Sequence, residues 1–268
     1  EKTQAHRHRN AVQRRFFSRA ISLLVRAHRD QRAPDAGLEL LEEAESKIQI
    51  ALRLMKRIRG RAVLPAYLQR RAVLERNLGN LLASNFIRRS ILLRESGDES
   101  GAREFAAKAL EQLDIIEKAG QSDRVTRWTR AQALRQSALI DARAARLQRA
   151  AGRYEASLEL YQKAWRAYVA ALAHLEAGDA EERQRSESER ALLNREIDAI
   201  VENQDEVRAS LRRLIRDSSV ELRLMGSDFS ADEPAFLAGL KEPYPVLGRG
   251  EKTQLFSDWA FFDRYVQE

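Results

Sequence analysis

The sequence has no cysteine, and it is poor in proline and glycine. Without a thiol, disulfides and thiolate metal centres are excluded, while the compartment stays open. Five prolines and twelve glycines in 268 residues are too few turn signals for a sheet-rich fold. No run of about 18 apolar residues occurs, so no transmembrane helix is expected, and no signal peptide is visible. The chain begins at Glu1 rather than Met, which leaves room for a trimmed targeting segment. The expectation is a soluble protein with the cytoplasm as its favoured compartment. Lysine is scarce as well, 8 residues against 39 arginines. A GC-rich genome produces such a bias. So does phosphate recognition, where a rigid guanidinium fork outperforms an ammonium group.

What is present is helical periodicity. Tyr154, Leu158, Tyr161, Trp165, Tyr168, Leu172 and Leu175 recur at steps of three and four, a continuous row of large residues. The segment before it, from about Arg130 to Ala150, is rich in alanine, and Ala151-Gly152 separates the two. That pattern predicts a tight helical hairpin. The same reasoning predicts a first helix from Thr3 to Arg29 (Val12, Phe16, Ala20, Leu23, Ala27, with Phe17, Ile21 and Leu24 widening the face). A second, after Pro34-Asp35, carries Leu41, Ala44, Ile48, Ala51, Met55 and Ile58 and ends near Gly60. A third runs from Pro65 to about Glu95, and Ser96 to Gly101 reads as an acidic turn. A fourth carries Phe105, Ala109, Leu113 and Ile116 and closes at Gly120. A fifth, opened by Ser122-Asp123, carries Val125, Trp128, Leu134, Ala138 and Ala142. The seventh is long, with Leu193, Ile197, Ile200, Val207, Leu211 and Leu214 in register. Near Gly226 the composition changes: residues 226–268 hold eight of the eighteen aromatics and three of the five prolines. Ser230 to Glu233 forms a capping box before Pro234, and Ser257-Asp258 caps a last short helix. The expected organisation is an all-α domain over 1–225, about seven long helices, followed by an aromatic tail over 226–268.

Charge is unevenly placed. Residues 1–76 carry 18 Lys/Arg against 8 Asp/Glu, or +10, within a chain of net +7, so the remainder sums to −3. Such asymmetry marks an interaction end. Arg15, Arg19, Arg26 and Arg29 stand at i, i+4, i+11 and i+14, one face of the first helix, about 100° around from the apolar row. Arg53, Lys56, Arg57, Arg59, Arg61, Arg70 and Arg71 form a second cluster around the turn between helices two and three. These eleven cations are the candidate binding residues, for RNA phosphates, an acidic protein or anionic lipid. The alternative is a solvated face neutralised by the chain's own Glu39 to Glu45. Only Phe16, Phe17 and Tyr67 are aromatic in residues 1–76, so a nucleic acid would be read through phosphate rather than stacked bases.

Catalytic signatures were sought without success. His6, His8, His28 and His174 lack the carboxylate spacing of helical metal sites and read as surface residues. Gly248-Arg249-Gly250-Glu251-Lys252-Thr253 departs from a phosphate loop, because Glu251 would repel phosphate and Val246 stands where the first glycine belongs. No catalytic residue, cofactor or metal is expected.

The hairpin around Gly152 resembles a tetratricopeptide repeat. Gly152, Tyr154, Leu158, Tyr161, Lys163 and Ala164 fall where that motif places Gly, Tyr, Ile, Tyr, Lys and Ala, with Ser157 at its small position. The preceding helix departs from the motif, with Ala144 and Ala145 in place of Leu-Gly and no closing proline. Leu78-Gly79-Asn80-Leu81-Leu82 echoes the first-helix Leu-Gly motif, although the hairpin period here is nearer 50 to 60 residues. The resemblance implies antiparallel hairpins stacked as a solenoid whose concave face binds protein segments. Residues 122–210 are also similar to the RNA-binding, tetratricopeptide-like domain of the largest signal recognition particle subunit. That likeness rests on Asp123-Arg124-Val125, the Tyr154–Tyr168 spacing, and Leu192-Leu193-Asn194 followed by Ile197 and Ile200. The expected function is a non-enzymatic scaffold for protein–protein interaction. The alternative is an RNA-binding subunit of a ribonucleoprotein, signal-recognition-particle-like or ribosome-associated.

Overall fold

A computed structural model describes residues 2–32, 36–57 and 65–224. They form α1 (Lys2–Arg32), α2 (Leu38–Arg57), α3 (Pro65–Ser96), α4 (Glu99–Lys118), α5 (Arg124–Ala150), α6 (Tyr154–Glu176), α7 (Ala180–Arg185) and α8 (Glu187–Leu224). No strand occurs among the described residues, so the fold is all-α. The aromatic tail over 226–268, with its capping box and last helix, lies outside them. The chain divides into two units, Glu1–Val207 and Arg208–Glu268.

In the first unit the helices pair along the chain. α1 packs on α2, α3 on α4, and α5 on α6. Between pairs, α2 meets α3 and α4 meets α5, while α1 touches α3 and α3 touches α5. One apolar core runs through α1 to α5, with Ala27, Ile48, Met55, Leu78, Phe86, Leu113, Ile116 and Ala133 buried in it. The expected α2 row of Leu41, Ala44, Ile48, Ala51 and Met55 is fully buried.

Small residues set how closely the partners approach. Along α5, Ala131, Ala138, Ala142 and Ala145 are buried on a shared stripe, and α6 buries Ser157, Ala164 and Ala171, spaced by seven. The Ser157 hydroxyl donates to the Ala145 carbonyl at 2.8 Å. Leu158, Tyr161, Trp165, Tyr168 and Leu175 of α6 are buried as well. In the α3–α4 pair Gly79 does the same service: a Cβ there would stand 2.8 Å from Ile116 Cδ1.

Chain reversals are fixed by local chemistry. Gly152 has φ +75°, a left-handed conformation that side chains resist, and the next amide, Arg153 N–H, closes the turn onto Gln148 O at 2.9 Å. The carboxylates of Asp98, Asp123 and Asp179 accept amides of Gly101, Thr126 and Glu182, capping α4, α5 and α7. Each cap contributes roughly 0.5–2 kcal/mol.

Four expectations are corrected. The Ser96–Gly101 turn shrinks to Gly97-Asp98, because the Asp98 cap starts α4 at Glu99 despite Gly101. The long seventh helix is broken at Ser186 (φ −95°, ψ 9°), which gives α7 and α8. There the buried Ser186 hydroxyl bonds back to Arg183 O at 3.2 Å, the backbone competition that makes serine a weak helix former. Ile21 and Val125, read as core positions, are 45% and 54% exposed. Neighbours decide this: α1 seats its core contacts through Phe16, Leu23, Leu24 and Ala27, so Ile21 lies outside the contact arc.

Two substitutions test this packing. Gly79→Leu should cost about 1–3 kcal/mol by overpacking against Ile116, and Trp165→Ala about 3–5 kcal/mol through the cavity it leaves. Denaturant midpoints of the variants measure both, and unchanged midpoints would sink the close-packing account.

Candidate functional surface

The helix α3 organises the surroundings of the basic end. Its neighbours bond to it through buried polar side chains. Gln31 Nε2 of α1 donates to Leu81 O at 2.9 Å, and Asn85 Nδ2 donates to Leu41 O of α2 at 2.8 Å. The Ser90 hydroxyl donates to Ala102 O of α4 at 2.6 Å and accepts from Gln136 Nε2 of α5 at 3.3 Å. Asn80 Nδ2 donates to the Thr126 hydroxyl of α5 at 3.1 Å.

Arg89 of α3 adds a charge to this set. Its guanidinium contacts Glu45 at 2.6 Å and Glu42 at 2.9 Å, both on α2. It also lies 4.1 Å from the centre of the Phe105 ring on α4, a cation–π contact. Glu43 pairs with Lys47 at 2.8 Å, and Lys47 reaches Asp30 of α1 at 2.5 Å. Those two carboxylates raise the Lys47 pKa. The acidic segment Glu39 to Glu45 was the expected internal partner of the arginine face. Glu42, Glu43 and Glu45 instead serve Arg89 and Lys47.

The predicted cations separate into three groups. Arg15, Arg19 and Arg26 are exposed on α1, and among the described residues no carboxylate lies within ion-pair distance of them. Arg29 shares their face, its side chain 79% exposed and 3.9 Å from Asp30. Arg53 and Lys56 are exposed near the end of α2, and Arg70 near the start of α3. Arg71, in contrast, is half-buried and paired with Glu75 at 2.9 Å, so it belongs to the helix rather than to a free surface. The Arg57 side chain, Arg59 and Arg61 lie outside the described residues. The shared face is therefore that of α1, from Arg15 to Arg29.

Other arginines have structural roles. Arg130 bridges to Asp114 and to Glu117 (2.8 Å), Arg135 to Glu196 (2.6 Å), Arg127 to Glu182 (2.5 Å) and Arg149 to Glu206 (2.5 Å). They tie α5 to α4, α7 and α8. The sequence carries no local sign of these pairs, since the Arg89, Arg127, Arg135 and Arg149 partners are 44 to 61 residues away.

A recess of about 20 Å³, room for one water molecule, lies between α5, α6 and α7, lined by Arg124, Arg127, Trp128, His174, Leu175, Glu182 and Ser186. His174, expected on the surface, is half-buried there. Burial lowers its pKa, and the nearby charges of Arg130 and Arg127 act in the same direction against Glu117. Among the described residues no group of three or more His, Asp or Glu side chains converges on a metal-sized site, and no helix is long and apolar enough to cross a membrane.

Comparison with protein families, curated proteins and solved structures gives no match to this chain. The chemistry of the surface therefore rests on its own geometry.

Two outcomes follow. Arg89→Ala should lower stability by roughly 1–3 kcal/mol, because Glu45 loses a charge-assisted partner and Phe105 one of its two cations, the other being Lys108. Equal denaturation midpoints for wild type and variant would contradict the role given to Arg89. For His174 the folded pKa lies below the unfolded value of 6.5. Its contribution is then full above pH 6.5 and is lost as pH falls through the folded pKa, because the unfolded chain takes up the proton first. His174→Gln should flatten the stability–pH curve below 6.5, measured by chemical denaturation; an unchanged slope would refute the assignment.

Proposed function

We propose that the chain is a non-enzymatic scaffold built as a tetratricopeptide-like stack of hairpins, with the α1 arginine face as a contact surface for a partner protein. Support for the stack comes from the serial contacts, α1 to α3 and α3 to α5, with each second helix meeting the next first helix. Gly79 also supports it, since the first-helix Leu-Gly pair of the motif falls where Ile116 and Gln112 of α4 press against α3. In such stacks each hairpin contacts only its neighbours, and binding surfaces are spread along the array.

The observation that carries the functional reading is the charge of Arg15, Arg19 and Arg26, which no carboxylate among the described residues compensates, beside carboxylates already engaged by Arg89 and Lys47. An unneutralised row of guanidinium groups steers acidic partners and adds to encounter rates. The competing reading, a ribonucleoprotein subunit, uses the same arginines as phosphate contacts. Against it, the one aromatic side chain of the basic end among the described residues, Phe16, packs on the core and is not free to stack on bases.

Crosslinking of the full chain in a cell extract, with and without ribonuclease, separates the two. Ribonuclease-resistant protein partners, lost in the triple variant Arg15→Glu, Arg19→Glu, Arg26→Glu, are expected. Partners released by ribonuclease, with steeply salt-dependent binding of a structured RNA, would replace the scaffold by the ribonucleoprotein subunit.

A further inference from the structure

We infer that the outward face of α1 is a docking site for an acidic amphipathic helix of a partner protein, an inference that rests on the scaffold reading above. At about 100° per residue, the core contacts of Phe16, Leu23 and Ala27 fix the inward direction of α1. The opposite side carries Ser18, Ser22, Val25 and Arg29, all exposed, with Val25 exposed to 62%. Arg15, Arg19 and Arg26 flank this row on one shoulder, and Ile21, 45% exposed, flanks it on the other. A low ridge of two serines and a valine, edged by guanidinium groups and an aliphatic side chain, has the relief of a helix-packing surface. Serines at i and i+4 let a second helix approach, and Val25 and Ile21 give it apolar contact.

Charge selects the occupant. α1 holds nine Lys/Arg against one carboxylate, Asp30, and Asp30 is taken by Lys47. A second copy docking through the same face would set two arginine rows against each other, so self-pairing is disfavoured. A membrane would need a broad apolar face with large anchoring side chains, and among the described side chains of α1 the exposed large apolar ones are Val25 and Ile21. A phosphate backbone has no use for exposed Val25 and Ile21 beside the arginines. A helix with a leucine row flanked by glutamates satisfies all of these features. Its carboxylates would face Arg15, Arg19 and Arg26 at matching four- and seven-residue steps, while its apolar row covers Val25.

The test titrates the full chain into a labelled amphipathic peptide with leucine at every third or fourth position and glutamate beside it. Its lysine-for-glutamate counterpart, a duplex RNA and phosphatidylserine-containing vesicles are the comparison probes. The glutamate peptide should bind, the lysine peptide should not, and RNA and vesicles should bind more weakly near 0.15 M salt, where surface charges are screened beyond about 8 Å. The triple Arg→Glu variant and Val25→Ser should each weaken the peptide by about tenfold or more, with circular dichroism unchanged because all four side chains are exposed. Equal binding of both peptides, no effect of Val25→Ser, or tighter binding of RNA or vesicles overturns the inference. If the peptide fails while ribonuclease-resistant partners are still captured, the scaffold stands and its docking site lies elsewhere.

Discussion

The arrangement depends on α3, and within α3 on Arg89. A cation with its side chain only 11% exposed needs partners, and Arg89 has Glu42 and Glu45 on one side and the Phe105 ring on the other. That single guanidinium ties α2 to α4 across the helix between them. The buried amides around it extend the same constraint. The amide N–H groups of Gln31, Asn80, Asn85 and Gln136 and the Ser90 hydroxyl each bond across a helix interface, and removing those partners would be costly. Apolar packing alone tolerates sliding by a turn, since Ala and Leu rows look alike at successive positions. Directional bonds at fixed residues do not, so the polar set gives the register and the apolar set most of the stabilisation.

The same contacts explain why the basic end stays basic. The acidic segment that follows the arginine face lies on α2, and folding directs its Glu42 and Glu45 to Arg89 of α3 and its Glu43 to Lys47. Of the α1 acid supply, Asp30 is engaged by Lys47 as well. Surface ion pairs contribute little in general, and no large stability gain would follow from pairing Arg15, Arg19 or Arg26 internally. Leaving them without a carboxylate among the described residues has little thermodynamic cost and preserves a field that reaches about one Debye length into solvent. The arginine row stands on a helix that also forms the first hairpin, so the proposed contact would be held by a rigid element rather than by a loop.

Much of this was legible in the sequence. The α2 core row is periodic and buried from Leu41 to Met55, Ile58 lying outside the described residues, and the α6 row is buried except for half-buried Tyr154 and Leu172. The Gly152 turn was legible because glycine marks a left-handed residue. Ile21 was not, because a helix face widens or narrows according to the neighbour it meets, and α1 presents its core arc through Phe16, Leu23, Leu24 and Ala27. The break at Ser186 was hidden too, since serine stands inside many intact helices and only its bond to Arg183 O marks the interruption. The arginines were the least legible. Arg19 and Arg89 are the same residue type on amphipathic helices, and what separates them is a pair of glutamates 44 and 47 residues from Arg89.

That distinction bears on how arginine-rich helical chains should be read. With 39 arginines, a count of cations overstates the charge open to a partner, because Arg89, Arg127, Arg130, Arg135 and Arg149 serve as internal fasteners. An arginine fastener holds two helices by a planar fork that lysine lacks, so the high arginine share has a structural cause beside any phosphate chemistry. The residues left over define the interaction surface better than the net charge does. On α1 they share a face with exposed valine and isoleucine, a combination that electrostatics alone does not call for. Charge in excess of what folding uses, placed beside apolar area in excess of what the core uses, is what the proposed docking of a second molecule would draw on.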